Sequence, residues 1–201
     1  MNQLIDITEL NNKYFILRHG ESLANVEGII VSTPENGLDK YGLSDEGRAQ
    51  IETTIKKAKA DELLGSKTRI VSSDFKRAYE SAVIAGEILG TEYLIEPEPR
   101  LRERDFGSFE LLSNEHYQTV WDKDALDSSH TSNNVESADA VMQRVSAFVW
   151  SLESYYDDQT FLLVAHGDTL QVLLTAFNKL PASCQRDLKH LETAELRSLE
   201  F

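Results

Sequence analysis

Cysteine is almost absent from this 201-residue chain. Its one copy, Cys184, excludes an internal disulfide framework and any zinc site built from several thiolates, and it fits a reducing compartment. Proline and glycine are sparse, at four and ten copies, against a hydrophobic fraction of 41%. That balance excludes a disordered or low-complexity chain and leaves enough apolar surface for a core held without disulfides or metals. No apolar run approaches the roughly 20 residues that span a bilayer. The opening MNQLIDITELNN is broken by Asp6 and Glu9, unlike a secretory leader. Cations are scarce as well: 20 Lys and Arg against 34 Asp and Glu give a formal charge of −14. Such a field repels nucleic acid and anionic membranes, yet it admits a small anion wherever a few arginines share one cleft. The expectation is a cytoplasmic protein with no nucleic-acid or membrane partner; its oligomeric state is not set by these features.

The length suits one domain over residues 1–201, and no internal repeat is visible. YFILR (14–18), TRIVSS (68–73), EYLIE (92–96) and TFLLVAH (160–166) are short and nearly continuous in apolar residues, the pattern of strands buried on both faces. The tail AELRSLEF alternates and reads as an edge strand. Between the strands, Leu43, Gly47, Ile51, Ile55 and Ala58 form an i+4 stripe behind the candidate cap Ser44. Phe75, Ala78, Tyr79, Ala82, Ala85 and Leu89 form a second stripe, closed by Gly90. Ser137 caps a third, running from Ala138 to Tyr156, and a fourth helix is expected after Gly167. Strands alternating with helices predict an α/β fold: a three-layer sandwich with a mostly parallel central sheet and helices on both faces. Residues 28–42 read as a loop with turns at Pro34 and Asn36-Gly37, and 105–137 as a variable insertion. That insertion holds a short helix around NEHYQTVW and a polar run, DSSHTSNN, that is either a flexible surface loop or a lid.

Chemistry-bearing residues recur where the predicted strands end. The first strand gives Arg18-His19-Gly20, with Gly20 turning the chain aside; the second gives Arg77; the third is followed by LRERDFG with Glu103; the fourth gives His166-Gly167. Ligands of open α/β sheets sit at the carboxyl ends of strands. Taken singly, each of these is weak. Arg18-His19 alone reads as a solvated strand end, Arg77 as a surface cation, Glu103 as part of a solvated charge run and His166 as a core histidine. Their ordered recurrence favours one anion site.

LRHGESLAN (17–25), GLSDEGRAQ (42–50), SSDFKRAYESA (72–82), LRERDFG (101–107) and LVAHGDTL (163–170) resemble, in order, the motifs of the histidine phosphatase superfamily, the family of the cofactor-dependent phosphoglycerate mutases and their phosphatase relatives. The resemblance implies a phosphoglycerate mutase-like fold and phosphoryl transfer through a phosphohistidine, with no metal and no cofactor. It makes His19 the nucleophile and Glu103 the proton donor and acceptor, with His166 completing the clamp. Arg18, Arg77, Asn25 and the Gly167 N–H become phosphate ligands, Asn25 holding either an oxygen or its own loop. The residue types suit the task. A neutral imidazole approaches a phosphate dianion without charge repulsion, and guanidinium forks match phosphoryl oxygens. A carboxyl that gives and takes a proton near neutrality needs a raised pKa. Arg102 and Arg104 would oppose that if both pointed inward, so at least one is expected to face solvent.

A mutase must hold a bisphosphorylated intermediate, which calls for extra cations. Residues 105–137 offer Lys123 and no arginine against seven acidic residues, which favours a phosphatase acting on a small phosphorylated substrate. GSFELL departs from the family's G-x-x-E-G, leaving the substrate-side wall open to question. Phe106, Phe109, Tyr117 and Trp121 either line that wall or form local core. The alternatives are mutase-type phosphoryl transfer, a non-catalytic phosphate-binding module, and a metal-dependent hydrolase using His19, His166 and Asp168.

Overall fold

The structure, a computed structural model, describes residues 1–200. Phe201, the last residue of the predicted edge strand, lies outside them. Five strands form one sheet: β1 (Lys13–Arg18), β2 (Thr68–Ser72), β3 (Glu96–Pro97), β4 (Thr160–Ala165) and β5 (Leu196–Leu199), in the order β3-β2-β4-β1-β5. All neighbours pair in parallel except β5, which runs antiparallel to β1 at the edge. The helices are α1 (Leu23–Glu27), α2 (Pro34–Gly37), α3 (Asp45–Ala60), α4 (Lys76–Leu89), α5 (His116–Leu126), α6 (Ala138–Tyr155) and α7 (Gly167–Phe177). None is long and apolar enough to cross a membrane.

The unbroken apolar runs of β1 and β4 have a direct cause, because both faces of the sheet are covered. Tyr14, Ile16, Phe161, Leu163 and Ala165 pack with Val141, Val145 and Val149 of α6 and Leu170 and Leu173 of α7. The alternate residues Leu17, Ile70, Leu162 and Val164 pack with Ile51 and Ile55 of α3 and Ala78, Ala82 and Ala85 of α4. Each such aliphatic side chain, fully buried, contributes on the order of 1.5–3 kcal/mol. Ser44 and Ser137 cap α3 and α6 through their side-chain oxygens, which accept from Gly47 N and Ala140 N.

The third predicted strand is much shorter than its apolar run. Only Glu96 and Pro97 pair with β2, and Leu94 is 89% exposed. Pro97 has no N–H to extend the ladder, and Pro99 starts a 3₁₀ turn. The second stripe also starts one residue later than read, since Phe75 is an extended N-cap and fully buried. Pro34 and Asn36-Gly37, read as turns, form the four-residue α2 instead, with proline at its first position. The insertion's helix is longer than its motif, at 11 residues. Its polar run is fastened at the far end, where Glu136 O accepts from Arg104 Nε and the Glu136 carboxylate pairs with Arg144.

Register decides where the functional residues emerge. Arg18 is level with Ala165 across β1–β4, and Ser72 is level with Val164 across β2–β4. The next residues, His19, Ser73 and His166, therefore leave three adjacent strands at one edge. The His19 and Ser73 amides still donate to Ala165 O and Val164 O, extending the ladders by one bond each.

Candidate active site

His19 and His166 meet edge to face with ring centroids 5.2 Å apart, and both are buried. His19 Nδ1 is 2.7 Å from Gly20 O. A carbonyl only accepts, so Nδ1 carries the proton and Nε2 presents its lone pair. Arg77 Nε donates to that lone pair at 3.1 Å. Burial first, then the charges of Arg77 and Arg18, hold His19 well below the ordinary imidazole pKa. It is neutral, and it is the right tautomer for attack through Nε2.

His166 is neutral for similar reasons, with burial the largest and the Arg77 charge next. Its Nε2 lies 2.8 Å from Ser73 Oγ, which itself accepts from Phe75 N. With the Ser73 hydroxyl donating to Nε2, both groups are satisfied and the His166 proton sits on Nδ1. That atom is buried and has no partner. Arg18 Nε and Arg77 Nη1 are buried and unpartnered in the same way. Each guanidinium is held by one main-chain carbonyl: Arg18 Nη1 donates to Leu191 O and Arg77 Nη2 to Val31 O. Three buried, orphaned donors on the side chains gathered at one imidazole are what an anion would satisfy. Gly167 opens α7 beside them, 3.4 Å from the Arg18 guanidinium at the point where a Cβ would stand, so the positive end of that helix faces the same space.

Glu103 is also buried. Its Oε1 accepts from Arg104 N at 3.0 Å and from Thr169 N at 3.2 Å, leaving Oε2 for exchange. Desolvation raises its pKa, and the neighbouring Asp168 carboxylate adds to the rise against the pull of Arg77. Arg102 and Arg104 do not reverse this. Arg102 is partly exposed and forks onto Asp74, while Arg104 is inside but bidentate on buried Asp124. Asp168 is engaged by Trp121 Nε1 and Arg186, and among the described residues no three His, Cys, Asp or Glu side chains gather as a metal-ligand set.

Asn25 takes the loop-holding role. Its Oδ1 accepts from Ser22 N and Ser22 Oγ in the capping box of α1. The Gly20 backbone is not left-handed. Glycine is needed there because a Cβ would stand 2.2 Å from Gly47 O, where the His19 loop lies on the first turn of α3. G-x-x-E survives in GSFELL as Gly107 to Glu110. The Glu110 carboxylate ties down Ser32, Thr33 and Asn36, steadying the segment whose Val31 carbonyl aims Arg77. The residue in the final glycine's place, Leu111, adopts φ 61°, the left-handed region a glycine would fill without strain. Phe106 is core beneath α5 with Ile30, Val120 and Val135, while Tyr117 and Trp121 are half-buried.

Sequence reasoning missed Ser73, Thr169 and Glu110. The first two lie inside the SSDFKRAYESA and LVAHGDTL motifs, so their signal was position within a motif rather than residue type.

The profile of the histidine phosphatase superfamily (branch 1) matches residues 14–201. A glucosyl-3-phosphoglycerate phosphatase of Mycobacterium tuberculosis is 30% identical over 84% of this chain and 76% of its own. A probable phosphoglycerate mutase of Photorhabdus laumondii is 28% identical over 93% of this chain and 84% of its own. Among solved structures, a mycobacterial glucosyl-3-phosphoglycerate phosphatase complexed with VO3 superposes with a TM-score of 0.75 at 27% identity, over 92% and 91% of the two chains.

Proposed function

The chain belongs to the histidine phosphatase superfamily, and from that footing we propose that it is a phosphatase, one domain over 1–201, that hydrolyses a small phosphate monoester through a phosphohistidine on His19 without a metal ion. One observation carries the reading: three side chains gather at His19, and each keeps a buried, unpartnered nitrogen, Arg18 Nε, Arg77 Nη1 and His166 Nδ1. Arg77 is bonded to His19 Nε2, His166 lies edge to face with the His19 ring, and Arg18 presses its charge on it.

Three donors suit the three non-bridging oxygens of a phosphoryl group, with the Gly167 N–H and the α7 N-terminus adding positive potential. As the ester settles, the Arg77 fork passes from His19 Nε2 to a phosphoryl oxygen and uncovers the lone pair. The N–P bond forms while the ester O–P bond breaks, and protonated Glu103 gives its proton from Oε2 to the leaving alkoxide. The carboxylate so formed then takes a proton from water. Water oxygen bonds to phosphorus, the N–P bond breaks, and inorganic phosphate leaves with His19 and Glu103 restored. The raised pKa of Glu103 and the lowered pKa of His19 both shift towards the starting protonation states this sequence needs.

A mutase would need further unpaired cations to retain a second phosphate. Arg102, Arg104, Arg144 and Arg186 are each paired with a carboxylate, which favours hydrolysis. The test is release of p-nitrophenol from p-nitrophenyl phosphate in the presence of a chelator. The wild type is expected to turn over and His19→Ala to be inert. Equal rates for the two would overturn the assignment of His19, and lasting loss in chelator would overturn the metal-free route.

A further inference from the structure

Six arginines crowd the edge of the sheet where the histidines emerge, and only two of them have charge to spare. Arg102 is bound to Asp74, Arg144 to Glu136 and Arg186 to Asp168. Arg104, fully buried, lies on Asp124 with Asp168 3.5 Å away. Arg186 does keep one unpartnered nitrogen, Nε, but its guanidinium carbon sits over the Trp121 ring, 3.6 Å from the centroid. The lysines of the neighbouring 34–40 segment and of the first turn of α4 are turned aside, Lys40 onto Asn36 Oδ1 and Lys76 onto Asp39 O. Arg18 and Arg77 remain without a carboxylate, and their free N–H groups, with His166 Nδ1, match one phosphoryl group. Of these six arginines, none further is left without a carboxylate for a second anion.

The wall beside that group is aromatic, with one polar tip. Tyr117 stands edge to face on Phe106 at 4.7 Å and stacks on Trp121 at 5.5 Å with the planes 5° apart. Trp121 is fixed in turn by its Nε1 bonds to the Asp168 carboxylate, two residues after His166. Phe106 is three residues beyond Glu103. The ring of Tyr117 is thus held between the Glu103 segment and the start of α7, yet its hydroxyl makes no hydrogen bond among the described residues. Burial foremost holds the pKa of that hydroxyl well above the ordinary tyrosine value, so it is a donor at any working pH.

We propose that the substrate is a phosphomonoester whose remaining part is a neutral polyol or sugar, with no second phosphate or carboxylate, and that the Tyr117 hydroxyl binds an oxygen of that part. This deepens the phosphatase reading and rests on it. A second anionic group would be desolvated against paired arginines and the acidic 105–137 segment, a cost that no unpaired arginine offsets. Tyr117 is a binding residue here: it orients the leaving group beside Glu103 and takes no part in proton transfer.

A matched pair of esters tests it. Glycerol 3-phosphate and 3-phosphoglycerate differ only in a hydroxymethyl group against a carboxylate. The wild type is expected to prefer glycerol 3-phosphate by about tenfold or more in kcat/KM, and a preference for 3-phosphoglycerate would overturn the proposal. Tyr117→Phe is expected to lower kcat/KM for glycerol 3-phosphate roughly tenfold, chiefly by raising KM, and to affect phenyl phosphate, which has no alcohol oxygen to bind, several-fold less. An equal loss on both esters would overturn the Tyr117 contact. Phenyl phosphate hydrolysis abolished by His19→Ala, alongside a preference for the carboxylate ester, defeats this inference alone. Failure of the wild type to hydrolyse any ester defeats the phosphatase reading with it.

Discussion

Arg77 Nε donates to His19 Nε2 across 3.1 Å, so the group proposed to hold the phosphoryl oxygens also covers the nitrogen proposed to attack phosphorus. The contact protects the neutral tautomer in the resting site. It also means that a guanidinium charge presses on the imidazole before any substrate arrives.

Removing that charge should therefore change the pH dependence as well as the rate. Burial, Arg77 and Arg18 together hold the His19 pKa down. In Arg77→Ala the imidazolium is less penalised, so the pKa rises towards its ordinary value and the ascending limb of kcat/KM against pH moves to higher pH. The plateau should fall about 10²–10³-fold with the lost phosphoryl contact. A pH–rate profile of the two proteins checks both.

Glu103 makes the opposite demand. Glu103→Gln keeps the anchoring of Oε1 but has no proton to give, and kcat should fall about 10²–10⁴-fold. Asp168→Asn removes the like charge that helps raise the Glu103 pKa. The acid form is then lost at lower pH, and the descending limb of kcat should shift to lower pH. An unmoved limb would mean that Glu103 is not the acid.

The Arg104–Asp124 pair, 2.6 Å apart with both side chains buried, governs stability rather than chemistry. Asp124→Ala leaves a guanidinium buried with only Asp168 at 3.5 Å, and should cost about 3–5 kcal/mol in urea unfolding. Replacing both members with Arg104→Met and Asp124→Leu should cost less than the single change, because no charge is stranded.

Gly20 and Gly47 meet where the His19 loop crosses α3, and a Cβ on either would stand 2.2 Å or less from a main-chain oxygen. Gly20→Ala must push the loop away. It should lower stability by about 1–3 kcal/mol, and it should reduce activity by disturbing the Gly20 carbonyl that fixes the His19 tautomer. Thermal unfolding and kcat measured together check this.

Much of this was legible in the chain. The strands showed as continuous apolar runs because helices cover both faces, and Ser44 and Ser137 announced their helices. EYLIE misled because an apolar run cannot report that Pro97 ends the ladder and that Leu94 faces solvent. His19, Arg77, Glu103 and His166 could be read because strand ends and motif order place them. Ser73 acts on His166 across 93 residues and Thr169 on Glu103 across 66, so only the folded chain shows what they do. Gly20 reads as turning the chain aside; the close approach of Gly47 O, which excludes a Cβ there, shows only in the folded chain.

The central claim is that phosphorus is attacked twice, first by His19 and then by water. A phosphorothioate monoester of known configuration carrying ¹⁶O and ¹⁸O at phosphorus, hydrolysed in ¹⁷O-water, reports this directly, since each in-line displacement inverts the centre. Hydrolysis is expected to give chiral inorganic thiophosphate with the configuration at phosphorus retained overall. Inversion would mean that water attacks the ester directly, and His19 would then carry no phosphoryl group.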